Sequence, residues 1–213
     1  MRMRVDRTAF DEGDPGRSSF RKANQACALA AAGVMLWSVS AAFWSGSSIL
    51  GQVSFSVGLV LVAIGFAGRL WVSTYHAGYK NSLITVGPYS LCRNPMYFCN
   101  LLGGIGACMT TGTLTLPVLF ACAYLFHYRR VIRDEELRLT RHHGVAFAAY
   151  CATTPVLVPS FKHFSQPNEY LVRMRDLSRR LPLTLWPIAA VAVIHLGIAL
   201  HAHDLLPVLI RIY

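Results

Sequence analysis

A helix that crosses a bilayer needs about 20 mostly apolar residues, and four stretches of this 213-residue chain approach that length. Ala26–Trp44 carries no charge, and Phe55–Val72 is interrupted only by Arg69. Tyr97–Tyr128 is too long for one span, and Leu183–Leu200 closes the set. In hydrocarbon every backbone N–H and C=O must be paired inside the protein, which leaves helices or closed barrels. Long unbroken apolar runs select helices. Gly112 and Thr113, flanked by Thr110, Thr111 and Thr115, read as a tight turn inside the third stretch. That stretch is therefore a helical hairpin, Tyr97–Thr110 and Leu114–Tyr128, whose second arm runs on past the membrane as far as Leu137. The expected fold is an all-α integral membrane protein with about five transmembrane helices. Only 14% of residues are charged, against about a quarter in soluble domains, so the solvent of this chain is largely lipid.

The basic residues set the orientation. Arg2, Arg4, Arg7, Arg17, Arg21 and Lys22 precede the first stretch, and Ser45–Ser54 has none. Lys80 and Arg93 lie between the second stretch and the hairpin, whose Gly112 turn has none. Arg129–Arg180 is rich in arginine again. The positive-inside rule places the N-terminus and Arg129–Arg180 in the cytoplasm and the C-terminus outside. The membrane expected is a bacterial inner membrane. The net charge of +10 is thus a topology signal, and nucleic acid is not an expected partner. The first 25 residues are too acidic for a usual signal-peptide n-region, so the first helix reads as retained. None of the six cysteines forms a Cys-x-x-Cys pair. They read as small apolar side chains with no disulfide framework. Four segments result: a polar cytoplasmic segment, 1–25; two membrane helices, 26–82; a region carrying the chemistry, 83–161; and a basic interfacial segment with a last helix, 162–213.

Unusual local sequence concentrates between Leu83 and Phe161. Gly87-Pro88-Tyr89 breaks the chain into a turn. Arg93-Asn94-Pro95-Met96-Tyr97 reads as a helix start, with Pro95 in the first turn and Asn94 as side-chain cap. Free N–H groups there would suit a carboxylate or phosphate. Gly103, Gly104 and Gly106 allow either close helix packing or room for a flat ligand. Asp134, Glu135 and Glu136 are three of only ten acids in the chain. The hairpin brings them to the membrane depth of Arg93. His142 and His143 lack partners at metal-ligand spacing, so no metal is expected. His195, in the last stretch, reads as a packed histidine rather than a proton relay. The residues thus build a polar pocket at the cytoplasmic interface with a lipid-facing wall, without naming a reaction.

Gly87-Pro88-Tyr89, Arg93-Asn94-Pro95-Met96-Tyr97, Gly103–Gly106, Glu135-Glu136, Gly144, Tyr150 and Val158-Pro159 follow one another in an order and with gaps that resemble one family. The chain is similar to the isoprenylcysteine carboxyl methyltransferase and phospholipid methyltransferase superfamily. The resemblance covers about Leu83 to Phe161. It implies S-adenosylmethionine as methyl donor and a lipophilic acceptor within the bilayer. That acceptor is an isoprenylcysteine-like carboxylate, a phospholipid amine, or an isoprenoid or fatty small molecule. Carried over by position, the donor site comprises Gly87, Pro88, Tyr89, Arg93, Asn94, Pro95, Tyr97, Gly103, Glu135 and Glu136, with Arg93, Asn94 and Glu136 nearest the reaction. Two departures stand out. Many members have His where this chain has Asn94, which cannot titrate near neutrality. Many stop soon after the Val-Pro segment, where this chain continues. An NADPH-dependent membrane reductase, using Arg129–Arg133 for the extra phosphate, and a non-enzymatic scaffold are the competing readings.

Overall fold

The computed structural model describes residues 49–78 and 82–203. The expected first span, Ala26–Trp44, lies outside the described residues. Within them every regular element is a helix: α1 (Ile49–Gly78), a one-turn α2 (Pro88–Leu91), α3 (Pro95–Met109), α4 (Thr115–Thr153), α5 (Met174–Thr184) and α6 (Trp186–Ala202). Two helical segments, Ile49–Ala77 and Met174–Leu200, are long and apolar enough to cross a membrane. Leu50, Val53, Val57, Val60 and Ile64 of α1 stay exposed, as side chains facing lipid do.

The centre of the fold is the antiparallel crossing of α1 on α3. Four close approaches run along it. A Cβ on Gly58 would lie 2.7 Å from the Gly106 carbonyl, and one on Gly65 would lie 2.8 Å from the Gly103 amide. Gly68 meets the Cys99 sulfur, and Ser54 Oγ donates to the Met109 carbonyl at 3.2 Å. Small residues let two backbones touch, the main way helices gain packing where no hydrophobic drive operates between them. The glycine face of α3 is therefore a packing surface: Gly104 abuts the Phe120 ring of α4, and Gly103 abuts Pro187 of α6.

The hairpin turn falls where expected, with Gly112 at φ 74°, and α3 begins at Pro95. Its second arm runs on past Tyr128, as expected, and well beyond Leu137. Helix α4 continues to Thr153, and Gly144 breaks it with φ 49° and ψ −119°. At about 1.5 Å per residue the 39 residues of this helix are longer than a bilayer core of about 30 Å, and it is not among the helices apolar enough to cross one. A side chain in the Gly144 conformation is strained, although nothing lies within 4 Å of a Cβ there. Gly144→Ala is therefore expected to lose about 1–3 kcal/mol through backbone strain alone, read as earlier thermal unfolding in detergent. An unchanged midpoint would mean that the break is not held in the folded protein.

The last stretch is also interrupted. Pro187 has no N–H for the Leu183 carbonyl four residues back. Arg69 of α1 takes that carbonyl instead, Nη2 to O at 2.6 Å, and also donates to Asn100 Oδ1. Trp186 Nε1 joins the same Asn100 oxygen at 3.2 Å. The one charge in the second apolar stretch thus ties α1, α3 and the α5–α6 break together.

Candidate functional site

Residues 87–94 are held against residues 151–165 by a ladder of short-range bonds. Gly87 N donates to Ser165 O (2.7 Å), Ser160 N to Leu91 O (2.9 Å) and Arg93 N to Pro155 O (2.8 Å). Ser165 N donates back to Ser90 Oγ (3.1 Å). Gly87 takes φ 63°, and a Cβ there would strike the Tyr75 ring, so the turn closes only with glycine. Beyond the Gly144 break, Tyr150 swings under this segment and donates from its hydroxyl to the Tyr89 carbonyl at 2.6 Å. Burial pushes both the Tyr89 and Tyr150 phenols well above their ordinary range, and it pushes the Cys92 thiol up to about 12. None of these three groups is a base near neutrality.

On this frame Arg93 points at helix α4. Its Nε lies 3.1 Å from Glu136 Oε1, with the side chains 13% and 25% exposed. That ion pair is not aligned as a hydrogen bond. Nη1 reaches the Cys151 carbonyl at 3.4 Å. Glu135, one residue back, pairs with Arg138 on the next turn.

A cavity of about 340 Å³ opens here, bordered by His76, Tyr89, Arg93, Asn94, Met96, Tyr97, Glu135, Arg138, Tyr150 and Arg180, with residues 82–84 along one side. Of the residues singled out from sequence, Tyr89, Arg93, Asn94, Tyr97 and Glu135 converge on it. Glu136 faces a second cavity across the Arg93 pair. Gly87, Pro88 and Pro95 shape the backbone around the site without bordering it, and Gly103 is packed between α1 and α6.

The expected Asn94 cap is not made. Its side chain makes no capping bond, and Nδ2 donates instead to the Val156 carbonyl at 3.0 Å. The expected free amides are also fewer, because Pro95 has none and Tyr97 N donates to the Asn94 carbonyl at 3.1 Å. The positive character of the cavity comes from side chains: Arg93, Arg138 and Arg180 against the single carboxylate of Glu135. Sequence reading missed His76, Arg138 and Arg180, and it gave Tyr150 a place in the motif but none in the site. His76 stacks on Tyr89 with ring centroids 5.6 Å apart. Arg138 carried a signal, its i,i+3 spacing from Glu135. Arg180 carried none, because only tertiary packing separates it from its basic neighbours.

Residues 43–145 match the model of a family described as phospholipid methyltransferase. The chain is also 34% identical over 161 residues to the nickel-cobalt-cadmium resistance protein NccN of Alcaligenes xylosoxydans xylosoxydans, covering 75% of this chain and 73% of that protein. The chain belongs to the phospholipid methyltransferase family. It is likewise similar to the cobalt-zinc-cadmium resistance protein CzcN of Cupriavidus metallidurans, 33% identical over 144 residues, or 67% of this chain and 66% of that protein. No solved structure matches the chain. The family match takes in Arg93–Tyr97 and Glu135–Glu136. It ends before Tyr150 and the 155–165 segment that lock the site in place.

Proposed function

We propose that this member of the phospholipid methyltransferase family moves a methyl group from S-adenosylmethionine to a lipophilic acceptor at the membrane interface. One observation carries the reading: a cavity rich in guanidinium groups lies beside a largely apolar cavity, with one ion pair, Arg93–Glu136, between them. The residues present fit the donor. Arg93, Arg138 and Arg180 suit its carboxylate, Glu135 suits ribose hydroxyls, and Tyr89 and Tyr97 offer aromatic surface to the adenine ring. The cavity volume lies within the usual range of about 300–1,000 Å³ for small-molecule sites. When bound, the donor supplies an already activated methyl carbon. What remains for the protein is alignment and exclusion of water. Arg93 and Glu136 do this by fixing the wall between the two cavities, and Asn94 by tying the start of α3 to Val156.

The two relatives are named for resistance to metal cations. With Arg93 facing Glu136 and Arg138 facing Glu135, Arg180 leaves the smaller cavity a net positive charge, which disfavours such an ion there. A share in that resistance would therefore act through the methylated product.

Glu135→Gln should lower affinity for S-adenosylmethionine by about ten- to a hundredfold, the loss of one charge-assisted hydrogen bond. Equilibrium binding to detergent-purified protein measures this, and unchanged affinity would return Glu135 to a solvated helix face. The positive-inside rule supports a site on the cytoplasmic side of the membrane. In a background without native cysteines, Ser47→Cys should react with an impermeant maleimide in sealed cells and Gln166→Cys should not. The opposite labelling pattern would invert the protein and its site.

A further inference from the structure

Residues 158–179 present a surface, apolar and basic by turns, that the candidate site does not use. Val158, Phe161, Leu171 and Met174 are 70–75% exposed. Lys162, Arg173, Arg175 and Arg179, also exposed, lie among them. Glu169 and Asp176 are the only carboxylates of the stretch. Arg180, the next residue, borders the cavity beside Arg93 instead. Two observations set the depth of this surface. Met174–Leu200 has 27 residues, whereas a core of about 30 Å takes about 20 at 1.5 Å each. The surplus of about seven residues matches the charged turns Met174–Arg180, so these arginines emerge at the edge of the hydrocarbon. The same level is reached from α1. Tyr170 stacks on Tyr75 near the end of that helix, with ring centroids 4.4 Å apart, and its hydroxyl lies 3.3 Å from Thr74 Oγ1. Phe164 lies against Trp71, centroids 6.4 Å apart. Tyr and Trp rings favour the boundary between hydrocarbon and headgroups. The Gly87–Ser165 and Ser160–Leu91 backbone bonds hold the segment at that level.

We propose that residues 158–179 are a docking surface for the headgroups of anionic phospholipids in the membrane that holds the protein. Phe161, Leu171 and Met174 enter the acyl boundary, and Lys162, Arg173, Arg175 and Arg179 take phosphate and headgroup oxygens, as in interfacial segments that mix apolar and basic side chains. Charge selects the lipid. Four exposed cations against two carboxylates, with His163 neutral, leave a net attraction for an anionic surface. Each Lys or Arg near such a surface strengthens the attraction about fivefold, whereas a zwitterionic headgroup offers no net charge. Depth selects lipid over a soluble acidic partner, which would have to displace lipid from the edge of the core to reach the same side chains. The surface is independent of the methyl-transfer reading and stands if that reading falls.

The test is amide hydrogen exchange of the full chain, followed by mass spectrometry, in two kinds of nanodisc: phosphatidylcholine alone, and equal parts phosphatidylcholine and phosphatidylglycerol. Residues 166–173, which lie outside the helices, should exchange about fivefold more slowly or slower still in the anionic discs. High salt should erase the difference, because it screens exposed charges. The triple variant Arg173→Gln/Arg175→Gln/Arg179→Gln should exchange alike in both discs, which also controls for the lower local pH at an anionic surface. The triple variant Arg173→Lys/Arg175→Lys/Arg179→Lys keeps the charge and should keep the slowing. Equal exchange of wild type in the two discs, or slowing that survives the glutamine variant, would overturn the docking surface. Loss of the slowing in the lysine variant would overturn it as well, since the arginines would then be serving contacts within the protein rather than charge toward the lipid.

Discussion

Arg93→Gln is expected to abolish measurable binding of S-adenosylmethionine and to destabilise the fold. The substitution removes a guanidinium from the donor cavity and leaves Glu136 Oε1, a buried oxygen, without its cation. Breaking a fully buried pair costs about 3–5 kcal/mol. These side chains are 13% and 25% exposed, so roughly 2–3 kcal/mol is expected once that figure is discounted for screening. The double variant Arg93→Gln/Glu136→Gln separates the two effects. It should recover most of the stability, since no uncompensated charge remains, yet it should still fail to hold the donor. Chemical unfolding in detergent and equilibrium binding read the two quantities independently. A single variant as stable as wild type would show that the pair holds nothing together. A double variant that binds the donor normally would move the donor away from Arg93.

Gly106→Leu should be the most damaging single change in the described helices. A Cβ at this position would lie 2.6 Å from the Gly58 carbonyl and 2.8 Å from the Val62 amide. These are backbone atoms, so no rotamer relieves the clash. Overpacking typically costs about 1–3 kcal/mol, and more where backbone must shift. A leucine here is expected at about 3 kcal/mol or beyond. As α1 parts from α3, the Ser54–Met109 bond and the Arg69–Asn100 link should be lost with it. The proper control is Val60→Leu, on an exposed position of α1, which should change little. Recovery of monodisperse protein after heating in detergent distinguishes them. Equal recovery of both variants would mean that the α1–α3 crossing is looser than its geometry implies.

Several features of the fold were legible because they are local. Pro95 fixes its own φ and lacks an N–H, so a helix can begin there at no loss. Gly112 among threonines turns the hairpin. Apolar runs with few charges, Phe55–Val72 and Leu183–Leu200, fall inside the candidate spans Ile49–Ala77 and Met174–Leu200, because the bilayer penalises charge residue by residue. Other features failed for the same reason in reverse. Asn94 has the right residue type for a cap, but the Val156 carbonyl, 62 positions away, claims its side-chain amide. The second hairpin arm was expected to run on past the membrane through Leu137, but its continuation to Thr153 across the Gly144 break carries no periodic apolar signal and is fixed by packing.

Sequence alone therefore determined the helical class and the hairpin, since each follows from the residue-by-residue demands of a lipid solvent and from spacing along one chain. It left open whether Gly103, Gly104 and Gly106 make room for a ligand or for another helix. Only the tertiary structure decided for packing, because the answer depends on where the Gly58, Gly65 and Phe120 atoms lie. It also decided that Arg138, Tyr150 and Arg180 join Arg93 around one cavity, and that Glu135 and Glu136, adjacent in sequence, face different cavities. A helix turns about 100° per residue, so neighbours on α4 diverge in direction. Which direction leads to a cavity is set by what packs against the helix, in this case the segments 87–94 and 151–165.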